Sequence, residues 1–387
     1  MSRKLRLYLL YIFVPLVIIY VALSQLTHYF FDALDPNQTQ LVLIDATPPK
    51  TFKEIALDLQ DKGIIRNTFA LRFIAQSEGT DTMIKGGEYE LSAAMTPRQI
   101  LEKMVRGDMF HRRVTIKEGM NMTEIASAIE QAGVLPRATF EAALRDPQIL
   151  RDEEIDATSF EGYLYPETYQ FPRNTSPVKI IKSMREQLTK RWLPEWSQRA
   201  KILEMTTHQV LTLASIIEKE SGNFEEQPVI SSVFHNRLKK GMRLQADPTV
   251  IYGIANFDGN ITKKDLSTPT PYNTYVINGL PPGPIASPGI NAIRSTLYPT
   301  DTNFLYFVGN GSGRHIFSET LDQHVNAVNQ YQKNRAPLID PASSTDTIDQ
   351  ALDSAINPSN PAPPSEPIDA AAPPAQGIAQ DGLGSNP

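Results

Sequence analysis

The chain of 387 residues is 41% hydrophobic and 21% charged, an ordinary globular composition with room for two or three domains. Its formal charge of -6 misleads, because residues 337–387 carry seven acids (Asp340, Asp346, Asp349, Asp353, Glu366, Asp369, Asp381) and no Lys or Arg, leaving the rest near +1. A near-neutral body without a basic stripe excludes nucleic acid as a partner, and the absence of cysteine excludes disulfides, thiol nucleophiles and thiolate metal sites.

Arg3, Lys4 and Arg6 precede a charge-free apolar run from Leu7 to Leu23. At about 1.5 Å per residue this run just reaches across a hydrocarbon core. The positive flank predicts a cytoplasmic N-terminus, with everything after about residue 27 outside. Ala22-Leu23-Ser24 loosely fits a leader cleavage site, but the run is long for a cleaved leader, so an uncleaved anchor over residues 1–30 is preferred.

Residues 40–155 carry a repeated pattern. A strand-like run, Leu41 to Ile44, precedes an amphipathic helix from Phe52 to Gln60 that stops at Gly63; Arg113 to Lys117 precedes a second, Thr123 to Gln131, that stops at Gly133. Between them, strand-like Glu88 to Leu91 leads to a helix from Thr96-Pro97 to Val105, closed by Gly107. Such units predict an α+β module, either a spacer or a carbohydrate-binding module resembling LysM.

The stretch Phe160 to Phe171 is dense in aromatics, which fill a core or stack on sugar rings. A helix is expected from Val178 to about Arg199, then one capped by Thr206-Thr207, then one from Gln227 to Lys239. Met242 to Gly253 and Thr270 to Gly289 lack regular periodicity, and the prolines of the second segment suit a pre-shaped binding wall. Leu305–Val308 and Arg314–Phe317 read as a hairpin, followed by a helix from Thr320 to Tyr331. From Ala336 the Pro/Ala/Ser/Asp tail buries too little to fold.

The helix ending in Leu213-Ala214-Ser215-Ile216-Ile217-Glu218-Lys219-Glu220-Ser221-Gly222 puts two carboxylates inside its apolar arc, with Thr212, Ser215 and Lys219 on the other side. A glutamate in apolar surroundings either pairs with a cation or keeps its proton near neutral pH, as a general acid must. Glu218, one turn from the small Ala214 and Ser215, has room for a substrate; Glu220, flanked by Ile216 and Ile217, reads as a structural carboxylate bonded to an arginine such as Arg237 or Arg243. The two glutamates point about 200° apart, a poor facing pair; Asp247, Glu225 or Glu226 are left as sources of a second carboxyl. Gln245, Asp247, Tyr252, Asn273 and Tyr275 are candidate groove residues, since amides and carboxylates suit sugar hydroxyls and Tyr suits a sugar face. The six histidines are scattered without metal-ligand spacing, so neither metal nor other cofactor is expected; His235, on the next helix, is the one to inspect.

The anchor, Leu213 to Gly222, Arg243 to Gly253, the Asn273-Thr274-Tyr275 loop with Gly279-Leu280-Pro281-Pro282-Gly283, and Leu305 to Val308 occur in the order found in the YceG-like endolytic murein transglycosylases, the MltG family, which the chain resembles from about residue 40 to 335. The resemblance implies an α+β fold: an inner-membrane anchor, a LysM-like α+β subdomain (40–155), a mixed α/β catalytic subdomain (156–335) and a disordered tail (336–387) outside the family pattern. It implies a periplasmic enzyme that cuts peptidoglycan strands internally, with Glu218 at the position of the catalytic glutamate and peptidoglycan synthases (penicillin-binding proteins) as partners. Lytic cleavage between MurNAc and GlcNAc requires one carboxylic acid, because the sugar's 6-hydroxyl replaces water and leaves a 1,6-anhydro end. A non-catalytic peptidoglycan-binding scaffold is the alternative. A cytosolic pyridoxal-phosphate lyase is disfavoured by the anchor and by the lack of a lysine in a phosphate-binding setting.

Overall fold

The structure, a computed structural model, describes residues 3–333 apart from Pro49 and Asn256; the tail expected to be disordered, 336–387, lies outside the described residues. Helix α1 (Arg3–Phe31) is about 43 Å long at 1.5 Å per residue. Its Tyr11–Phe31 portion is long and apolar enough to cross a membrane, and the helix ends within a residue of the anchor expected over 1–30, continuing past the apolar run that stops at Leu23 because uncharged Ser24 to Thr27 offer no stop signal.

The first globular unit comprises β1 (Val42–Asp45), α2 (Phe52–Asp61), α3 (Thr68–Glu78), β2 (Glu88–Leu91) and α4 (Pro97–Arg106). Strands β1 and β2 pair antiparallel, Val42 opposite Leu91 and Asp45 opposite Glu88. Capping boxes Thr51/Glu54 and Thr96/Gln99 start α2 and α4 by satisfying backbone donors that no helical carbonyl can reach. Ile44, Leu59, Leu71, Tyr89, Leu91, Ile100 and Met104 form the core between strands and helices. Helix α3 was not anticipated from the sequence; it buries Ala70, Leu71, Ile74 and Ala75 but leaves Phe69 and Phe73 outside, which blurs its apolar stripe.

The second unit follows as β3 (Arg112–Thr115), α5 (Met122–Gln131), α6 (Arg137–Ala143), α7 (Pro147–Asp152), β4 (Thr168–Phe171), α8 (Pro177–Arg191), α9 (Pro194–Ile202), α10 (Thr207–Glu220), α11 (Gln227–Lys239), α12 (Asp247–Gly253), α13 (Lys263–Ser267), α14 (Ile290–Leu297), β5 (Tyr306–Gly309), β6 (His315–Ser318) and α15 (Leu321–Val328), which runs on into a π-helical turn, Asn329–Lys333. β3 pairs antiparallel with β4, and β5 with β6 as the expected hairpin. Helix and small sheet thus coexist as α+β. Val114 to Leu150, expected to belong with the first module, contribute to the same core as residues 160–297, so the two cores divide near residue 110.

Two expectations change, and one unassigned segment gains a helix. The helix expected from Val178 to Arg199 is two helices, because Pro194 supplies no N–H and forces Leu193 to extended geometry (φ -75°, ψ 145°). Met242 to Gly253, read as irregular, contains α12, a short helix with Pro248 in its first turn. The segment after Gly289 opens α14.

The units are fastened by Glu88 on β2, only 4% exposed, which accepts from Arg112 on β3 (2.5 Å) and from Arg173 (3.2 Å). Glu88→Ala removes the carboxylate that both guanidiniums share. It is expected to destabilise the chain by about 1–3 kcal/mol in urea unfolding, less than a fully buried pair because Arg173 remains hydrated.

Candidate active site

Helix α10 is capped by Thr206 and Gln209 and buried on every side from Val210 to Ile217. The side expected to be polar is therefore enclosed too. Thr212 Oγ1 donates to the His208 carbonyl, and Ser215 Oγ donates to Thr212 O (2.7 Å) while accepting the amide of Ile285 (3.0 Å). Beyond Ile217 the last turn returns to solvent, with Glu218 and Glu220 half-buried and Lys219 exposed.

Glu218 Oε2 accepts one backbone N–H, that of Gly289 (2.9 Å), the residue that caps α14. Burial pushes the Glu218 carboxyl up to about 7; the Gly289 hydrogen bond pulls it down, Glu118 pushes it up and Lys219 pulls it down. Ala214 and Ser215, expected to leave room beside Glu218, are wholly buried in the core. Glycines from two loops approach Glu218 and Glu118. A Cβ on Gly119 would lie 3.7 Å from Glu218 Cγ, and one on Gly289 would lie 2.1 Å from Glu118 Oε1. Glu118, exposed and itself shifted up by burial, therefore sits over the amide that Glu218 accepts. The 117–120 loop is fixed by Gly119 N to Ser287 O (2.9 Å), Ser287 N to Met120 O (2.8 Å) and Lys219 Nζ to Gly119 O (3.3 Å).

A second group surrounds Glu220. Solvent grazes this side chain, yet protein encloses its carboxyl: burial raises it to about 8, Asp247 adds to the rise and Arg237 opposes it. The expected Arg237 or Arg243 bond is not made. Arg237 donates to the carbonyls of Leu244 and Leu305 (2.7 Å each) and to Gln245 Oε1 (3.3 Å), and Arg243 to Tyr275 O, so Arg237 acts on Glu220 only through its field. Asp247 is exposed but shifted up by desolvation, the combination of a group on a concave wall, and it accepts from the Tyr275 hydroxyl (2.6 Å). Gln245 is held at φ +50°, unusual for a residue with a Cβ, by its amide bond to Thr274 O.

Asn273 does not reach a groove. It is wholly buried, and its Nδ2 donates to Asp265, Leu266 and Thr268 carbonyls while Oδ1 accepts Tyr275 N, so it holds the loop together. Tyr275 is also buried and orients Asp247. Of the other acids weighed, Glu226 binds His315 and Glu225 faces Arg314, both on the β5–β6 hairpin. His235 is half-buried, shifted down by desolvation and bonded to Thr296 O. Among the described residues no cluster of His, Asp and Glu is arranged to hold a metal ion.

The aromatic stretch fills the core, Phe160, Tyr163, Tyr165, Tyr169 and Phe171 all being buried. Within it lies Glu161, which sequence reasoning missed. Glu161, 3% exposed, accepts the Met122 amide at the start of α5 (3.1 and 3.2 Å) and the Tyr252 hydroxyl (3.0 Å). Burial raises its carboxyl to about 7 against those hydrogen bonds. Gly162 beside it (φ +77°) cannot carry a side chain, because a Cβ would fall 2.3 Å from Pro284. Tyr163 donates to His208 Nδ1 and His208 Nε2 to Pro282 O (2.7 Å each), the tautomer fixed because a carbonyl can only accept. A separate cleft of about 420 Å³, lined by Tyr163, Arg185, Trp192 and Thr207 among others, does not include Glu218.

Residues 44–330 match the model of the YceG-like family. The chain belongs to this family. It is 32% identical over 316 residues to the endolytic murein transglycosylase of Bacillus subtilis (strain 168), covering 78% of this chain and 87% of that one. It is 27% identical over 331 residues to the endolytic murein transglycosylase of Streptococcus pneumoniae (strain D39), covering 76% of this chain and 60% of that one. A crystal structure of a YceG-like protein from Listeria monocytogenes superposes with a TM-score of 0.52 at 33% identity, covering 74% of this chain and 98% of that one. All of the site residues described above fall within the YceG-like match.

Glu161, Glu218 and Glu220 hold protons in the folded chain that the unfolded chain releases near pH 4.5. Folded carboxyls with raised pKa bind more protons than unfolded ones between about pH 4.5 and 8, so stability falls as pH rises through that window. Denaturant titrations across it should show this fall. Glu161→Gln, which cannot ionise, should reduce it by roughly 1–3 kcal/mol.

Proposed function

We propose that this chain is a membrane-anchored endolytic murein transglycosylase in which Glu218 is first the acid and then the base. The observation that carries this reading is a half-buried carboxyl near pKa 7 with a single backbone donor, on the last turn of a helix otherwise locked in the core. A group that titrates near the working pH can both give and take a proton in one turnover. In the proposed reaction Glu218 passes its proton to the glycosidic oxygen between MurNAc and GlcNAc, and the C1–O bond breaks as positive charge grows at C1. The MurNAc 6-hydroxyl then bonds to C1 and returns its proton to Glu218, closing the 1,6-anhydro ring without water. The Gly289 N–H steadies the carboxylate between the two transfers, and Glu118, when ionised, faces the developing cation.

Asp247, Gln245 and Tyr252 are read as groove contacts for sugar hydroxyls and N-acetyl groups, with Tyr275 and Asn273 positioning them. The first unit, in which β1 and β2 flank α2 and α3 along the chain and α4 follows, is read as the LysM-like carbohydrate-binding module. Arg3, Lys4 and Arg6 favour a cytoplasmic N-terminus and a periplasmic site at the inner membrane, where peptidoglycan synthases are the partners the location suggests. A non-catalytic scaffold would not require a proton-holding carboxyl beside a backbone donor.

Purified glycan strands incubated with the full chain should acquire 1,6-anhydro ends, read by mass spectrometry. Glu218→Gln should lower their rate of appearance by about 10²–10⁴-fold without changing strand binding. Reducing ends that incorporate solvent oxygen would mean hydrolysis, and an unchanged rate in Glu218→Gln would remove this residue from the reaction.

A further inference from the structure

Where α1 leaves its apolar span it meets α3. The ring of Phe30 packs on Phe69 (centroids 5.2 Å apart), Phe31 on Phe73 (5.9 Å), and Phe69 stacks on Phe73 (6.0 Å). These contacts leave the outer face of α3 uncovered: Phe69 is 54% and Phe73 53% exposed, beside Leu26 and Tyr29 of α1 at 52% and 51%. A cleft of about 200 Å³ between the helices is lined by Leu26, Thr27, Phe30, Phe31 and Phe69, and Thr27 has already turned its hydroxyl to the Ser24 carbonyl. The patch is therefore apolar and continuous with the membrane-crossing stretch Tyr11–Phe31. Cations border it. Arg66 lies over the Tyr29 ring (4.6 Å), and Arg72 is exposed between Phe69 and Phe73 in sequence. The acid closest to it along α1, Asp32, is bonded to His28 (2.8 Å).

We propose that α3 is a membrane-surface helix: Phe69 and Phe73 enter the headgroup and upper acyl region of the bilayer that α1 crosses, with Arg66 and Arg72 facing anionic headgroups. Aromatic rings and arginines on one helix face are the composition that partitions into this layer. Lipid is the occupant the geometry favours over protein, because the same apolar surface runs unbroken from α3 onto a helix whose other apolar side chains need lipid anyway. The α3 contact gives the first unit a second attachment beside α1, so it cannot swing freely on a single helix. Through the Glu88 bonds to Arg112 and Arg173, that attachment limits how far the second unit can stand from the bilayer. The inference rests on α1 crossing a membrane and not on the enzymatic reading.

The full chain in nanodiscs of phosphatidylethanolamine and phosphatidylglycerol, with lipids brominated at shallow acyl positions, provides the test. Phe69→Trp and Phe73→Trp are read by fluorescence above the background of Trp192 and Trp196, with exposed Ile202→Trp on α9 as the remote control. The added fluorescence at 69 and 73 should fall at least twofold with brominated lipid while that at 202 is unchanged. Equal, weak quenching at all three sites with full acrylamide access would put this face in water and overturn the proposal. Protection from acrylamide without bromine quenching would mean that protein covers the face, and would overturn it equally.

Discussion

The hydrogen bond from the Gly289 amide to Glu218 is the contact on which the site depends, because it joins a helix enclosed by the core to the proline-rich loop beside it. Helix α10 is enclosed from Val210 to Ile217, so its last turn is fixed in space. The loop from Gly279 to Gly289 has little freedom of its own, with Pro281, Pro282, Pro284 and Pro288 setting the backbone. It is tied to α10 at Ser215 through Ile285, at His208 through Pro282 and at Glu218 through Gly289. Without the last of these, the carboxyl would keep its burial and lose the donor that makes its ionised form accessible. The balance between the two sets its pKa near 7.

Two carboxyl groups on one helix turn end in different circumstances for the same reason. Glu218 faces a backbone donor and the exposed Glu118; Glu220 faces Asp247, with Arg237 held away by its own carbonyl partners. Two like charges in a confined space do not both ionise, and Tyr275 donates to Asp247, so the charge settles there and Glu220 stays protonated. This makes Glu220 a neutral wall of the site and leaves Glu218 as the carboxyl able to cycle between its two states.

Features written in local patterns were legible in the sequence. The cap at Thr206, the stop glycines Gly63, Gly107 and Gly133, the strand-like run of β2 and the β5–β6 hairpin each depend on neighbours within a few residues. The burial of Glu218 followed from its helix wheel. The rest depends on chain segments far apart. Glu161 is defined by Met122 and Tyr252, 39 and 91 residues away, and was hidden among aromatics that fill the core. Glu118 gains its position only when Gly289 arrives beside it, and Asn273, chosen for its amide, is taken up by its own loop. The available signal was a glycine following each acid, in Glu118-Gly119 and Glu161-Gly162, since glycine admits positive φ and close backbone approach.

The most direct measurement is the pKa of Glu218 itself, from a carbon-13 titration of the glutamate side-chain carboxyls in the full chain, assigned with Glu218→Gln. A midpoint near 7 that disappears in Glu218→Gln is expected if burial against one amide donor governs this group. A midpoint near the ordinary 4.5 would contradict it, because Glu218 would then be ionised at neutral pH with no proton to give.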